Sequence, residues 1–141
     1  MQRDKDHGLL IKQIHNKLEK SANNMLREKG LTMMQMEVLG ALNQTPEKQL
    51  SMKELERYFQ VAQSTVAGLI SRLEQKGLVE AVGDRKDRRV KLAHITAAGE
   101  ACCEEAVCNM EEARAVLLRG FTEEEKELLG RLLLKAIKNL E

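Results

Sequence analysis

The sequence has very few aromatic residues, a single proline and no long apolar run. Aromatic side chains make up 2% of the 141 residues, so a core must be built from Leu, Ile, Val, Ala and Met. One proline and 32% charged residues favour a mainly helical protein. Every apolar stretch is shorter than the roughly 18 residues that a membrane helix requires, so we expect no membrane span and no membrane partner.

Cysteine and histidine are also scarce, and neither residue has the spacing of a metal site. His7, His15 and His94 show no ligand spacing with each other or with the cysteines, so we expect no metal and no cofactor. No phosphate loop, nucleophile elbow or carboxylate pair in an apolar setting is present, so we expect no enzyme activity.

The three cysteines lie in one segment, and no secretory signal precedes them. We therefore expect a cytoplasmic protein whose thiols stay reduced. Cys102 and Cys103 point about 100° apart on a helix and cannot readily form a disulfide, and Cys108 lies off their faces. Nearby Glu104 and Glu105 would raise a thiol pKa. We interpret the cysteines as buried spacers in a dimer helix, and a thiol-based oxidant sensor remains the alternative.

Charge is balanced over the whole chain and concentrated locally. There are 23 Lys and Arg against 22 Asp and Glu, a net charge of +1. The segment from Asp84 to Lys91 is basic, with two carboxylates against five cations, Arg85, Lys86, Arg88, Arg89 and Lys91. A basic segment on a neutral protein would attract phosphate in a salt-dependent manner.

Apolar spacing and capping residues predict six helices and one hairpin. Ser51 with Glu54 and Thr122 with Glu125 are predicted capping boxes, and Gln44–Gln49 is predicted to be a loop. The hairpin strands are predicted at 78–82 and 90–95. The first helix is predicted at 8–30, the second from a Thr32 cap to 43, and the third from the Ser51 cap. The fourth is predicted at 63–76, the fifth from a Thr96 cap to 119, and the sixth from the Thr122 cap to 140.

The third and fourth helices and the hairpin together predict a DNA-binding module. Val66, Leu69, Ile70 and Leu73 form the apolar stripe of the fourth helix, and its opposite face is small or polar. A helix that can lie in a major groove, followed directly by a basic hairpin, is suited to duplex DNA.

The ordered motifs resemble the MarR family of bacterial transcriptional regulators over nearly the whole chain. The resemblance lies in Ser64-Thr65-Val66, in Leu73-Glu74-Gln75-Lys76-Gly77-Leu78-Val79, in Asp87-Arg88-Arg89 and in Ile95-Thr96-Ala97-Ala98-Gly99. It implies a mainly α fold with a small β-hairpin wing, in which a winged helix-turn-helix is flanked by N- and C-terminal dimerisation helices.

The resemblance also implies a domain organisation and a function. Residues 1–30 would form the N-terminal helix of the dimerisation region, 31–99 the DNA-binding domain and 100–141 the C-terminal dimerisation helices. The implied function is a homodimeric, sequence-specific regulator of transcription, a repressor that a small-molecule effector releases from a palindromic operator. A winged-helix protein–protein adaptor that no longer binds DNA is a further alternative, although it would have no reason to keep Arg88 and Arg89 beside a polar helix face.

The predicted DNA contacts fall on the fourth helix and on the wing. Arg89 resembles the family's wing arginine, which enters the minor groove, and Asp87 resembles the carboxylate that stabilises the wing through an arginine, with Arg72 as its expected partner. On this face of the helix the family commonly has a polar residue, and Gly68 departs from that pattern. Alternatively, Ser64 and Thr65 only cap the helix and the wing charges neutralise each other in a solvated turn. The full predicted set is Gln63, Ser64, Thr65, Gly68, Ser71, Arg72, Arg85, Arg88 and Arg89.

The methionines near the junction of the first two helices suggest an effector pocket. Met33 and Met36 would supply adaptable apolar contacts, and His15 would be a polar anchor. The family places its pocket between the dimer base and the DNA-binding head. Ordinary core packing is the alternative role for these residues.

Overall fold

A computed structural model describes residues 5–87 and 89–141 as six helices and three strands. The mainly α fold with a small β-hairpin is therefore confirmed, and each predicted helix is present within one or two residues of its predicted ends. The helices are α1 (His7–Lys29), α2 (Met33–Gln44), α3 (Met52–Phe59), α4 (Gln63–Gln75), α5 (Ala97–Leu117) and α6 (Glu123–Asn139), and the strands are β1 (Gln49–Ser51), β2 (Val79–Gly83) and β3 (Lys91–Ile95).

Helix starts are set by short side chains that accept hydrogen bonds from first-turn amides. Thr32, Ser51 and Thr122 each begin a helix as part of a reciprocal capping box, with Gln35, Glu54 and Glu125 respectively. Asp6 caps α1 by accepting from the Leu9 amide at 3.2 Å. Such a cap stabilises a helix by about 1 kcal/mol, so local sequence chemistry fixes these boundaries.

The sheet has three antiparallel strands in the order β1-β3-β2. Val79 lies opposite Ile95 and Gly83 lies opposite Lys91 in the β2–β3 hairpin. Gln49 of β1 pairs with His94 on the other edge of β3, so the predicted loop at 44–49 ends in a strand. This strand is only three residues long and leads directly into a helix cap, so it has no alternating pattern that the sequence could have revealed.

The chain divides into two compact units, one up to Asn109 and one from Met110 to Glu141. The core of the first unit lies between α2, α3, α4 and the sheet. Its largest fully buried side chains are Val38, Leu39, Leu42, Leu55, Leu73, Val79 and Ile95. The second unit contains the end of α5 and the whole of α6, and none of the residues of α6 is buried within the described chain.

Thr96 and Gly99 fasten the start of α5 to the end of the α4–β2 connection. The Thr96 hydroxyl donates to the Gly77 carbonyl at 2.7 Å and accepts from the Gly99 amide at 3.2 Å. The Thr96 amide donates to the Leu78 carbonyl at 3.0 Å. Gly99 is buried, and a Cβ atom there would lie 2.3 Å from that same carbonyl oxygen. The Thr-x-x-Gly motif is therefore a packing motif.

Candidate nucleic-acid interface

Helices α3 and α4 form a helix-turn-helix with a short connection. Gln60 ends α3 in the left-handed conformation, with φ of 52°, and reverses the chain direction. The Val61 amide then donates to the Glu56 carbonyl at 3.2 Å. Phe59 and Val61 pack against the core. These contacts fix the angle at which α4 leaves the turn.

Helix α4 has one buried face and one exposed face, as the sequence predicts. Val66, Ile70 and Leu73 are buried against the core. The opposite face is polar or lacks a side chain, and every predicted DNA contact on this helix is exposed there, namely Gln63, Ser64, Thr65, Gly68, Ser71 and Arg72. This face can therefore be presented to a groove without disturbing the core.

The first turn of α4 starts without a side-chain cap among the described residues. Its N-cap residue is Ala62, which has no side-chain acceptor. The alternative role of Ser64 and Thr65 as helix caps is therefore wrong, because both lie inside the helix. The amides of Thr65 and Val66 donate to the Ala62 carbonyl. The earlier amides of a helix have no intrahelical partner, so this end suits an external acceptor such as a phosphate oxygen.

The wing is a hairpin whose tip is organised by aspartates. The Asp84 amide donates to the Val90 carbonyl at 3.0 Å and closes the loop. The Asp84 carboxylate accepts from the Lys86 amide at 3.0 Å, which fixes the first half of the tip. Arg85 and Lys86 are both exposed. The first half of the tip therefore presents these two cations on a defined backbone, and the predicted contact Arg88 lies outside the described residues.

Asp87 fixes the second half of the tip through Arg89. Its Oδ1 atom accepts from the Arg89 amide at 3.0 Å and from Arg89 Nε at 3.2 Å. The prediction that Arg72 is the partner of Asp87 is corrected here. In the described chain the ion pair found for Asp87 is with Arg89. A carboxylate two residues away in a tight turn is within reach without any tertiary contact. The Arg89 side chain remains 92% exposed.

A second carboxylate, which the sequence analysis missed, ties α4 to the wing. Glu74 lies on the exposed side of α4, and its Oε2 atom accepts from the Ala81 amide of β2 at 3.0 Å. Glu74 belongs to a recognised motif, but nothing in the sequence indicates that its partner is a strand amide. This bond couples α4, with its exposed polar face, to the hairpin that carries the cations.

The predicted effector residues are dispersed. The His15 side chain is 70% exposed and lies 3.5 Å from Glu19. Met33 is exposed at the start of α2, while Met36 packs against the core. A cleft of about 420 Å³ lies instead between α1 and α5. It is lined by Met25 and by polar side chains, including Asn24, Glu28, Lys29, Glu105 and Asn109.

The cysteines differ in burial. Cys103 is buried, Cys102 is half-buried and Cys108 is exposed in this single chain, so for Cys108 the role of a spacer buried in a dimer helix stays a prediction. Burial raises the pKa of the Cys103 thiol, and the neighbouring Cys102 and Glu100 raise it further. Cys103 therefore remains a thiol, the less nucleophilic form.

The described residues contain no group of three or more potential metal ligands. In the same part of the chain, no helix is both long enough and apolar enough to cross a membrane.

Comparison with known proteins identifies relatives of this module. The sequence profile of the MarR family matches residues 29–90, which hold the helix-turn-helix and most of the wing. The chain is 39% identical over 88 residues to the transcriptional activatory protein BadR of Rhodopseudomonas palustris, covering 62% of this chain and 50% of BadR. The chain therefore spans about half the length of that relative.

Longer matches extend the similarity over nearly the whole chain. The chain is 33% identical over 126 residues to YwoH of Bacillus subtilis, described as an uncharacterised HTH-type transcriptional regulator, covering 87% of this chain and 90% of YwoH. The crystal structure of the Staphylococcus aureus MepR–DNA complex superposes with a TM-score of 0.87 at 25% identity, covering 96% of this chain and all of that one.

Proposed function

Because this chain belongs to the MarR family of transcriptional regulators, we propose that it is a homodimeric repressor that binds a palindromic operator and is released by a small-molecule effector. One observation carries the proposal: α4 presents an uninterrupted exposed polar face, and a basic hairpin tip follows it in the same compact unit. MepR, similar in fold over its full length, has been crystallised with DNA.

The proposed roles follow from the chemistry of each side chain. Gln63 reads a base edge in the major groove, since Gln can form two hydrogen bonds to adenine. Ser64 and Thr65, with the open amides of the first turn, bind phosphate and set the register. Ser71 and Arg72 extend this contact along the helix, and Gly68 allows a close approach of the backbone. Arg85, Arg88 and Arg89 bind the flanking groove, and Asp87 holds the tip that carries them.

Exposed apolar side chains on the terminal helices support a homodimer. Helix α6 leaves Leu132 at 54%, Leu134 at 63% and Ile137 at 54% exposed, and α1 exposes Ile11 and Ile14. Exposed apolar side chains in such number are typical of interaction sites. A second copy of the chain can cover them with a self-complementary surface.

Repression follows from occupancy of a promoter by such a dimer. A dimer covering about two turns of DNA blocks polymerase sterically, whereas activation, which the name of BadR implies for that protein, requires a further contact. Regulation by a ligand fits the cleft between α1 and α5.

We place the protein in the cytoplasm, where chromosomal DNA is, and expect no enzyme activity from it, since its relatives are transcriptional regulators.

The two alternatives are less well supported. An oxidant sensor that acted through Cys103 would need a thiolate, and burial raises the pKa of that thiol, which disfavours the thiolate. A protein–protein adaptor does not need an exposed Arg89 on an ordered tip.

Substitution of Gln63 tests the proposal directly. Gln63→Ala is expected to weaken binding to DNA from the protein's own promoter by about tenfold and to leave binding to unrelated DNA unchanged, since a good bidentate base contact contributes about 1–3 kcal/mol of discrimination. Fluorescence anisotropy with both duplexes measures this ratio. Gln75→Ala, an exposed glutamine at the other end of the same helix, is the control. Equal affinity of the wild-type protein for both duplexes would exclude a sequence-specific regulator.

A further inference from the structure

The turn between α1 and α2 is tied to two other helices through neighbouring residues. Helix α1 ends at Lys29, and Gly30 follows in the left-handed conformation, with φ of 67°. The Gly30 amide donates to Arg27 at 3.0 Å, and the Leu31 amide donates to the Leu26 carbonyl at 2.9 Å. These bonds hold the turn in one conformation, so a displacement of Lys29 also displaces Gly30.

On one side, the turn is connected to α5. The Lys29 ammonium forms an ion pair with the Glu105 carboxylate. The Lys29 side chain is only 19% exposed, whereas Glu105 is 60% exposed. Both residues line the cleft between α1 and α5. A molecule that occupies this cleft therefore meets the pair directly.

On the other side, the turn is connected to α4, which is the recognition helix of the proposed DNA-binding face. Lys76 is the C-cap residue that directly follows α4, and its ammonium donates to the Gly30 carbonyl. The contact joins residues 46 positions apart in the sequence. The end of α4 is thus linked to α5 by a short series of contacts through Lys76, Gly30, Lys29 and Glu105, which we term the Lys76 bridge.

We propose that Lys76 is a positioning residue for DNA binding, and that the Lys76 bridge transmits changes in the α1–α5 cleft to the recognition helix. This inference rests on the proposed function, because it describes how the DNA-binding face is controlled. The bridge holds the C-terminal end of α4, and the Glu74–Ala81 bond holds the wing to the same turn of helix. Loss of the Lys29–Glu105 pair frees the α1–α2 turn and with it the anchor of α4. An effector that displaces Glu105 from Lys29 therefore changes the tilt of α4 without touching DNA.

The bridge predicts a loss of affinity that differs from the loss of a phosphate contact. Lys76→Met keeps the length of the side chain and removes the donor. We expect it to weaken operator binding about fivefold, a typical size for coupling through a contact network. The slope of log affinity against log salt should stay unchanged, because Lys76 does not neutralise a phosphate. Lys76→Arg retains donors and should restore affinity, and Lys20→Met, an exposed lysine on α1, is the control.

A double-mutant cycle tests the connection to α5. Glu105→Ala should weaken operator binding to a similar extent, and the double variant should be no weaker than Lys76→Met alone, because both substitutions interrupt one series of contacts. Glu104→Ala, an exposed neighbour on the same helix, should bind normally. Thermal unfolding of each variant confirms that it is folded.

The outcomes separate this inference from the proposed function. A wild-type protein that binds no operator would refute the proposed function. The bridge would then be tested by hydrogen exchange, in which Lys76→Met should accelerate exchange of the Leu31 and Gly77 amides. A salt slope reduced by about one would make Lys76 a phosphate contact and overturn the inference. Unchanged affinity of Lys76→Met, or additive losses in the double variant, would overturn it as well.

Discussion

Gly99 occupies a position where any side chain would collide with the main chain. A Cβ atom would lie 2.3 Å from the Leu78 carbonyl oxygen and 2.6 Å from Ile95 Cγ1. Since backbone and core must both move, we expect Gly99→Ala to lower the free energy of unfolding by about 3 kcal/mol, at the upper end of overpacking costs. Urea unfolding followed by circular dichroism measures this change.

Gly68 provides the matched control for that substitution. A Cβ atom at Gly68 meets nothing within 4 Å. Gly68→Ala should therefore raise stability by up to about 1 kcal/mol, because alanine favours the helix interior. If Gly99→Ala were as stable as the wild-type protein, the packing role of the Thr-x-x-Gly motif would be wrong.

The buried thiol of Cys103 predicts a pH dependence of stability with a defined sign. Its pKa is raised in the folded state, first by burial, so the folded chain retains this proton to a higher pH than the unfolded chain. Unfolding then releases a proton, and the free energy of unfolding falls as the pH rises. The contribution is fully present near neutral pH, below the ordinary pKa of a thiol, and is lost as the pH rises through the raised pKa of the folded state.

Urea unfolding of the wild-type protein and of Cys103→Ala at neutral and at alkaline pH tests the sign. The stability difference between the two proteins should narrow as the pH rises. Cys108→Ala, which removes an exposed thiol from the same helix, controls for general alkaline effects. A difference that stays constant or widens would show that the folded state does not protect the proton.

At this scale the sequence predicts local chemistry well and tertiary partners poorly. The capping boxes at Ser51 and Thr122 are confirmed, because both partners lie within one turn of chain. The expected partner of Asp87 was wrong, although the pair found, with Arg89, is itself local. The contacts of Glu74 and Lys76 were not predicted, because they depend on how separate elements meet, which no local spacing encodes.

Among the elements, the wing has the clearest predicted consequence. Arg89 is held by Asp87 but remains exposed at the tip. Loss of one phosphate or minor-groove contact should reduce the slope of log affinity against log salt by about one. We therefore expect Arg89→Ala to bind operator DNA more weakly and with a smaller salt slope, as measured by gel shift over a range of salt concentrations.

A charge control is needed for this measurement, because removal of any cation changes the net charge. Arg131→Ala removes an exposed arginine from α6 and should leave the slope unaltered. A wing variant that keeps the wild-type affinity and slope would remove Arg89 from the interface.

The elements that the sequence predicts are those with strong periodicity. The apolar stripe of α4 and its buried residues agree with the expectation. Strand β1 was missed because three residues are too few to show alternation, and it exists through its pairing with β3. The α1–α5 cleft was missed as well, since it is formed by polar residues distant in sequence.

For the whole molecule, the exposed apolar residues of α6 lead to a prediction about the operator. A two-fold dimer imposes its symmetry on the site that it binds. Two recognition helices on one face of the duplex lie about 34 Å apart, so the half-sites should be centred roughly 10 base pairs apart. Footprinting on the protein's own promoter should therefore show protection over about two turns, with boundaries related by two-fold symmetry.

A charged variant of α6 separates the contribution of assembly from that of the DNA-binding face. Leu132 and Ile137 are each 54% exposed in the single chain. The double variant Leu132→Glu with Ile137→Glu should therefore leave the fold of the first unit intact. It should abolish the dimer, because burying two carboxylates in an apolar interface is costly. The variant should sediment as a monomer and lose the two-fold footprint at wild-type concentrations.

In the wild-type protein, an effector that lowers operator affinity tenfold needs only about 1.4 kcal/mol of preference for the unbound arrangement. Protection of one half-site by a wild-type monomer would contradict the dimeric repressor and any release mechanism that depends on two heads.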